Sequence, residues 1–420
     1  MAHVVCFIQH YHTPDCPTSA RPYSLIQHLA RRHVVTLIAS NAWRKRRLTS
    51  DFEWVPSSVR LLELPVAYGN RMGTTRRFLA FASYAARAVA AGLPGPAPDV
   101  VFGTSTPLST GVVAALVARW HGVPWVFEVR DLWPDFPIQA GAVSSTWAKA
   151  GLYRLERALY RDAAHVIGLS PDMTEHIKTF VPASCTSTVL YGTDQDLAAE
   201  VEPIAIRSLR KQILNNTSPP PAPTHHTHTS ETPTFVVLYA GSYGRANAIP
   251  SLIETARLLQ RQTHIRFVFS GDGYHAADVR TAARNLATVY SLPPLPHSAA
   301  LTLFAAADLS IVSFANLPVL ATNSPGKLFD SLTMGTPAIV THNGWYARWV
   351  NKHHCGWSVP PENPAACADM IQRLSLCRND VQTAGQNARH VARHELSRLA
   401  AVQHIESIIS QTASSSPKRT

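Results

Sequence analysis

Lys327 and Asp330 stand three residues apart in Asn323-Ser324-Pro325-Gly326-Lys327-Leu328-Phe329-Asp330-Ser331-Leu332-Thr333-Met334-Gly335-Thr336-Pro337, a stretch suited to holding a phosphorylated ligand. Ser324 reads as an N-cap, Pro325 fits the first helical position, Gly335 ends the helix and Pro337 stops it from continuing. The first turn of such a helix presents unpaired N–H groups and a positive dipole end, so Lys327 there concentrates positive charge for phosphate, with Ser324 and Gly326 flanking it. Asp330 falls on the same face, and a carboxylate can accept hydrogen bonds from the two vicinal hydroxyls of a ribose. A diphosphate beside a ribose describes a sugar nucleotide; the plain alternative is a capped helix with a surface lysine.

Two further groups carry charge where strands should end. Glu128, Arg130 and Asp131 follow the apolar run Trp125 to Val129, and charges at the end of a buried strand are costly unless paired or solvated in a cleft. They read either as reaction-centre residues or as a structural ion pair under the loop. Gly241-Ser242-Tyr243-Gly244-Arg245-Ala246-Asn247 follows the strand Phe235 to Ala240 and precedes a helix from Pro250 to Leu259, so Gly244 and Arg245 are candidates for an anion-binding turn. In the first loop, Arg21 is a candidate phosphate or acceptor contact, or simply an arginine at a helix start.

The elements that must position these residues alternate. Strands are expected at Val4 to Ile8, Val34 to Ala39, Asp99 to Gly103, Trp125 to Val129 and His165 to Ser170, with helices through Leu25 to Ala30, Pro107 to Trp120, Leu152 to Tyr160 and Asp172 to Phe180. A second series follows with strands at Phe235 to Ala240, Phe267 to Ser270 and Ala305 to Phe314, and a helix from Arg389 to Ile409. Alternation of this kind makes parallel α/β sheets, whose ligands collect at the carboxyl ends of strands. The helix opening at Arg76 carries Phe78, Phe81, Ala82, Ala85 and Val89 at helical spacing, with arginines between them. It either packs on the sheet or rests on anionic lipid.

The chain of 420 residues is long enough for two domains, and 46% hydrophobic residues with a mean hydropathy of −0.03 suit a soluble globular protein. No apolar run reaches the roughly 20 residues that span a bilayer, and no signal peptide is visible, which gives the expectation of a cytoplasmic protein. The cysteines form no C-x-x-C pair, consistent with reduced thiols. A net charge of +11 calls for an anionic partner. The basic residues are dispersed and no nucleic-acid-binding motif accompanies them, leaving a phosphorylated substrate or an anionic membrane surface. The Pro, Thr, Ser and His-rich tract 215–233 reads as an exposed flexible insertion, and His225, His226 and His228 within it are poorly organised for a metal site.

These motifs together resemble family 4 glycosyltransferases. The central stretch is similar to the donor-binding Pro-Ser-Lys-(Leu/Ile)-Phe-Glu-Tyr run of the bacterial aminosugar and polysaccharide transferases, with Gly326 in place of the serine and Asp330 in place of the glutamate. Glu128-Val129-Arg130-Asp131-Leu132-Trp133-Pro134 resembles their Glu-x-Arg-Asp-x-Trp-Pro signature, and the first glutamate of the family's Glu-x7-Glu pair falls on Thr322. The resemblance implies the α/β GT-B fold, two Rossmann-like domains facing each other across a cleft. It implies an N-terminal acceptor-side domain over 1–196, a linker over 197–233, a nucleotide-sugar domain over 234–388, a returning helix over 389–411 and a polar tail over 412–420.

It further implies retaining transfer from an NDP-sugar, UDP-linked and N-acetylated in one version, to a glycan or lipid-diphosphate acceptor in cell-surface polysaccharide biosynthesis. Asp131, Arg130 and Glu128 would lie at the reaction centre, with Lys327, Asp330, Arg245, Gly244, Ser324 and Gly326 on the donor. Peripheral contact with the inner face of the membrane agrees with the family. No metal cofactor is expected, because Lys327, Arg245 and helix N-termini can stabilise the departing diphosphate. The alternatives are an NDP-sugar 2-epimerase of the same fold and a scaffold that binds nucleotide sugar without turnover.

Overall fold

The structure is a computed structural model that describes residues 1–18, 20–69, 72–215 and 234–415. The chain forms two compact units: Met1–Tyr191 with Pro318–Ser324 and the segment from Arg398 onward, and Gly192–Leu317 with Pro325–Ser397. Most of the histidine tract lies outside the described residues.

The first unit is built on strands β1 (His3–Ile8), β2 (Val34–Ser40), β3 (Arg60–Leu64), β4 (Val100–Thr104), β5 (Trp125–Val129), β6 (His165–Gly168) and β7 (Thr186–Thr188). They pair in parallel in the order β3-β2-β1-β4-β5-β6-β7. The central strands are buried along their length, as expected of a parallel sheet covered on both faces. The second unit uses β8 (Phe235–Ala240), β9 (Ile265–Ser270), β10 (Val289–Leu292), β11 (Leu309–Ser313), β12 (Ala338–Thr341) and β13 (Gly356–Ser358), parallel in the order β10-β9-β8-β11-β12-β13. Each order reverses once, between β1 and β4 and between β8 and β11. At such a switch point the flanking loops diverge and leave a crevice beyond the carboxyl ends of the strands.

Several elements differ from the sequence reading, each for a local reason. The short strands β3 and β7 were not expected; neither forms a continuous apolar run, and their residues are mostly half-buried. Pro203–Asn215 is a helix in what reads as linker, held by Ile213, which packs with Val236 and Leu238, and by an Arg210–Asp308 ion pair at 2.8 Å. Ala305 and Ala306 finish a helix, so β11 starts only at Leu309. The Thr74–Gly92 helix buries Ala80, Phe81, Tyr84 and Ala88, a face centred on Tyr84, whose hydroxyl donates to the Ile38 carbonyl at 2.9 Å. Of the apolar set expected there, only Phe81 is buried, and Phe78 is exposed. The expected Arg389 to Ile409 helix is two helices, Arg378–His394 and Arg398–Ser414, parted where the chain leaves the second unit. Among the described residues, no helix is long and apolar enough to cross a membrane.

Candidate functional site

The switch point of the second sheet gathers the central motif. The helix starts one residue later than expected: Pro325 is its N-cap with extended backbone, Gly326–Thr333 is helical, and Ser324 makes no cap, its hydroxyl being buried without a partner. The φ of Pro325, −74°, would also suit a first helical residue, but its ψ of 111° leaves it outside the helix. Gly335 ends the motif at φ +72°, a left-handed conformation that glycine adopts without Cβ strain.

Lys327, in the first turn, aims its ammonium at the turn after β8. Its Nζ donates to Tyr239 Oη at 2.9 Å and Asn247 Oδ1 at 3.2 Å, and lies over the Tyr239 and Phe314 rings at 4.4 and 5.7 Å from their centroids. Tyr239 is the penultimate residue of β8 and Phe314 follows β11, so the ammonium sits between the two strands at the reversal. Gly241 leaves room for it. A Cβ built there, where φ is +139°, would stand 3.4 Å from both Cε and Nζ. Gly271 supports that turn from behind, since a Cβ on it would come within 1.9 Å of the Gly241 carbonyl oxygen.

Part of the lysine's surface is open, but its charged end is enclosed and, among the described residues, has no carboxylate partner. Desolvation pulls its pKa down to about 7. An ammonium so placed, beside the free N–H groups of a helix start, has unmet demand for an anion.

Asp330 is buried, and its Oδ1 is 2.9 Å from His297 Nε2. Its second oxygen makes no side-chain hydrogen bond among the described residues. Gly244 opens the Arg245–Asn247 turn, but Arg245 is exposed and stacks its guanidinium on Tyr274 at 4.1 Å. Thr322, at the position of the family's first glutamate, donates its hydroxyl to the Val319 carbonyl at 2.8 Å.

In the first unit, the carboxyl ends of β4 and β5 bring together a second polar group. Glu128 is buried against Arg21 at 3.0 Å and accepts from Thr104 Oγ1 at 2.7 Å, a pairing set by the register that places Thr104 opposite Glu128. The ion-pair alternative therefore describes the geometry of Glu128, and Arg21 is the partner. Asp131 accepts from Thr106 Oγ1 at 2.5 Å, while the Arg130 side chain has no ion-pair partner among the described residues. Burial, with Arg130 next in weight, pushes the His10 imidazole down to about 3, so it is neutral at physiological pH. Arg130, neutral His10 and Asp131 thus offer a cation, an uncharged imidazole and a carboxylate at the reversal of the first sheet.

Sequence reasoning missed the residues that seat the motif residues. Tyr239, Asn247, His297, Thr104 and Thr106 lie 24 to 88 positions from their partners. Only the loop motif containing Asn247 gave any signal.

With this geometry established, comparison with known proteins assigns the class. Residues 18–191 match the glycosyl transferase 4-like domain, and residues 234–376 match the glycosyl transferases group 1 family. The chain belongs to the glycosyltransferases of the GT-B fold, built from these two domains. It is 22% identical over 315 residues to the probable glycosyltransferase WbjE of Pseudomonas aeruginosa, covering 71% of each chain. Its fold is similar to sucrose-phosphate synthase from Thermosynechococcus elongatus, with a TM-score of 0.72 and 17% identity over 99% of this chain and 100% of that one. It is likewise similar to Anabaena HepE, solved in complex with UDP-glucose, with a TM-score of 0.66 and 17% identity over 98% of this chain and 100% of that one.

Proposed function

We infer that this glycosyltransferase takes its sugar from a UDP-linked donor held in the second unit. The observation that carries the reading is the enclosed ammonium of Lys327, which lies at the strand reversal beside a helix N-terminus and lacks an anionic partner among the described residues. The donor diphosphate supplies that anion, Asp330 takes the ribose through the oxygen His297 leaves open, and the Gly241–Asn247 turn allows the phosphates a close approach. That HepE was solved with UDP-glucose supports the choice of nucleotide.

As the glycosidic bond to the diphosphate breaks, negative charge grows on the leaving oxygens. Lys327 and the helix start are preorganised to meet it, so the transfer needs no metal. In a retaining reaction the leaving diphosphate accepts the acceptor's proton on the same sugar face. Arg130 and Asp131 then orient a glycan or lipid-diphosphate acceptor, in the assembly of a cell-surface polysaccharide at the cytoplasmic face of the membrane.

The test is a panel of UDP- and GDP-sugars, assayed for nucleotide release with and without acceptor glycans and with and without added Mg²⁺ or Mn²⁺. UDP release that requires an acceptor and no added Mg²⁺ or Mn²⁺ is expected. Interconversion of donor sugars without UDP release would replace the reading with an epimerase, and tight UDP binding without turnover on any acceptor would replace it with a scaffold.

A further inference from the structure

Asp135, Glu156 and His176 in the first unit belong to none of the chemistry above, yet they converge. One ligand atom from each lies within 4.8 Å of the others, although they come from three helices, Asp135–Gln139, Thr146–Asp162 and Pro171–Lys178. Glu156 is completely buried, and its Oε2 has no hydrogen-bond partner. Its Oε1 accepts from Tyr160 Oη at 3.0 Å and lies 3.4 Å from His176 Nε2. Asp135 accepts from Tyr153 Oη at 2.7 Å. Neither carboxylate pairs with a lysine or arginine among the described residues. A buried carboxylate with one oxygen unmet, beside a second carboxylate and an imidazole nitrogen, is a donor set with unused capacity to bind a cation.

We propose that Asp135, Glu156 and His176 bind a divalent transition-metal ion, Zn²⁺ in the first instance, which ties the three helices together. Carboxylate oxygen and imidazole nitrogen bind zinc at about 2.0–2.2 Å, so ligand atoms on one ion stand up to about 4 Å apart, and small side-chain rotations bring the three into range. Imidazole in the set favours zinc, copper, iron or nickel over magnesium, calcium and manganese, which suit oxygen ligands. The tyrosine hydroxyls on Asp135 and Glu156 are placed to orient the ligating carboxylates, as outer-shell donors do. Asp135 lies four residues after Asp131, so the ion fastens the far end of the Trp133-Pro134 loop that carries Arg130 and Asp131. Its role is structural, and donor chemistry does not pass through it.

The full chain, stripped with chelator, is titrated with ZnCl₂ by calorimetry and with CoCl₂ by absorption, in parallel with a His225→Ala/His226→Ala/His228→Ala variant. That variant removes the histidine tract as a competing ligand. One high-affinity equivalent that persists in the tract variant is expected, with cobalt absorption of low coordination number and a raised melting temperature. His176→Gln and Asp135→Asn should each weaken binding at least tenfold in that background, the lower end of what even an outer-shell partner contributes. Both side chains are partly exposed, so these variants remain folded where Glu156→Gln fails. Zinc binding that is lost in the tract variant, or that His176→Gln and Asp135→Asn leave unchanged, overturns the proposal. So does tighter binding of Mg²⁺ than of Zn²⁺.

Discussion

Lys327 is held in a state that costs stability so that a ligand can be bound. Its ammonium has two neutral hydrogen-bond partners and two aromatic faces, but no carboxylate among the described residues. Replacing an inadequately paired buried charge with an apolar side chain of similar volume commonly stabilises a protein. Lys327→Met should therefore raise the stability of the ligand-free enzyme at pH 7 by about 1–2 kcal/mol, the lower part of the usual range because the residue is partly open. The same variant should lose UDP affinity by at least a hundredfold, about 2.7 kcal/mol. Denaturant unfolding and calorimetric titration with UDP read the two effects separately. A variant that is less stable and binds UDP normally would mean that the ammonium is a structural element.

The sign of the pH dependence follows from the same burial. With a folded pKa near 7 against an ordinary lysine value of 10.5, the unfolded chain binds the extra proton between those values. This group's contribution to stability therefore rises with pH through that window and is flat below it. The stability gap between Lys327→Met and the parent should shrink as pH climbs from 7 toward 10. Donor affinity moves the opposite way, because only the charged lysine meets the diphosphate. Between pH 7 and 8.5, affinity for a UDP-sugar should fall by up to about tenfold per unit, and Lys327→Met should flatten that slope.

At the scale of elements, the turn after β8 is shaped by contacts between glycines more than by its own sequence. Gly271 lies behind Gly241, and an added Cβ would overlap the Gly241 carbonyl. Backbone cannot yield as the end of a flexible side chain can, so Gly271→Ala should displace the turn and lower the melting temperature. UDP affinity should fall with it even though residue 271 need not touch the ligand. Gly73→Ala, where a Cβ meets nothing within 4 Å but the residue caps the Thr74–Gly92 helix, is the control for UDP affinity and should leave it unchanged whatever it does to the melting temperature.

This also marks what the sequence could tell. Strand, turn and helix order were legible because buried parallel strands are continuous apolar runs, and because Pro325 and Gly335 punctuate the central helix. The partners of Glu128, Asp330 and Lys327 were not legible, since Arg21, His297 and Tyr239 become neighbours only through sheet order and register. Hence the candidate site was readable as a set of charged ends, whereas the geometry deciding which ends are satisfied was not.

For the whole molecule, the division into units does not follow chain order, and the end of the chain shows the consequence. The Arg398–Ser414 helix belongs to the first unit, where Val402, Ile405, Ile408 and Ile409 pack into the core with Val4, Cys6, Leu25 and Ile26. Glu406 adds a contact to His33 at 3.1 Å. The approach of Arg378–His394, and the break before Arg398, belong to the second unit. Fully burying one aliphatic side chain is worth about 1.5–3 kcal/mol, so the four together contribute about 6–12 kcal/mol, comparable to the net stability of a whole domain. Ending the chain after Ser397 should therefore unfold the first unit, although the residues removed are the most distant from it in sequence. The second unit keeps its sheet, Lys327 and the β8 turn. Hydrogen exchange on the truncated protein should show protection lost across β1, β2, β4 and β5 and retained in β8, β9, β11 and β12, with UDP still slowing exchange in the Gly326–Thr333 helix. Uniform loss of protection in both units would show that they fold as one cooperative body. Retained protection in β1 and β4 would show that the helix is a covering rather than part of the core.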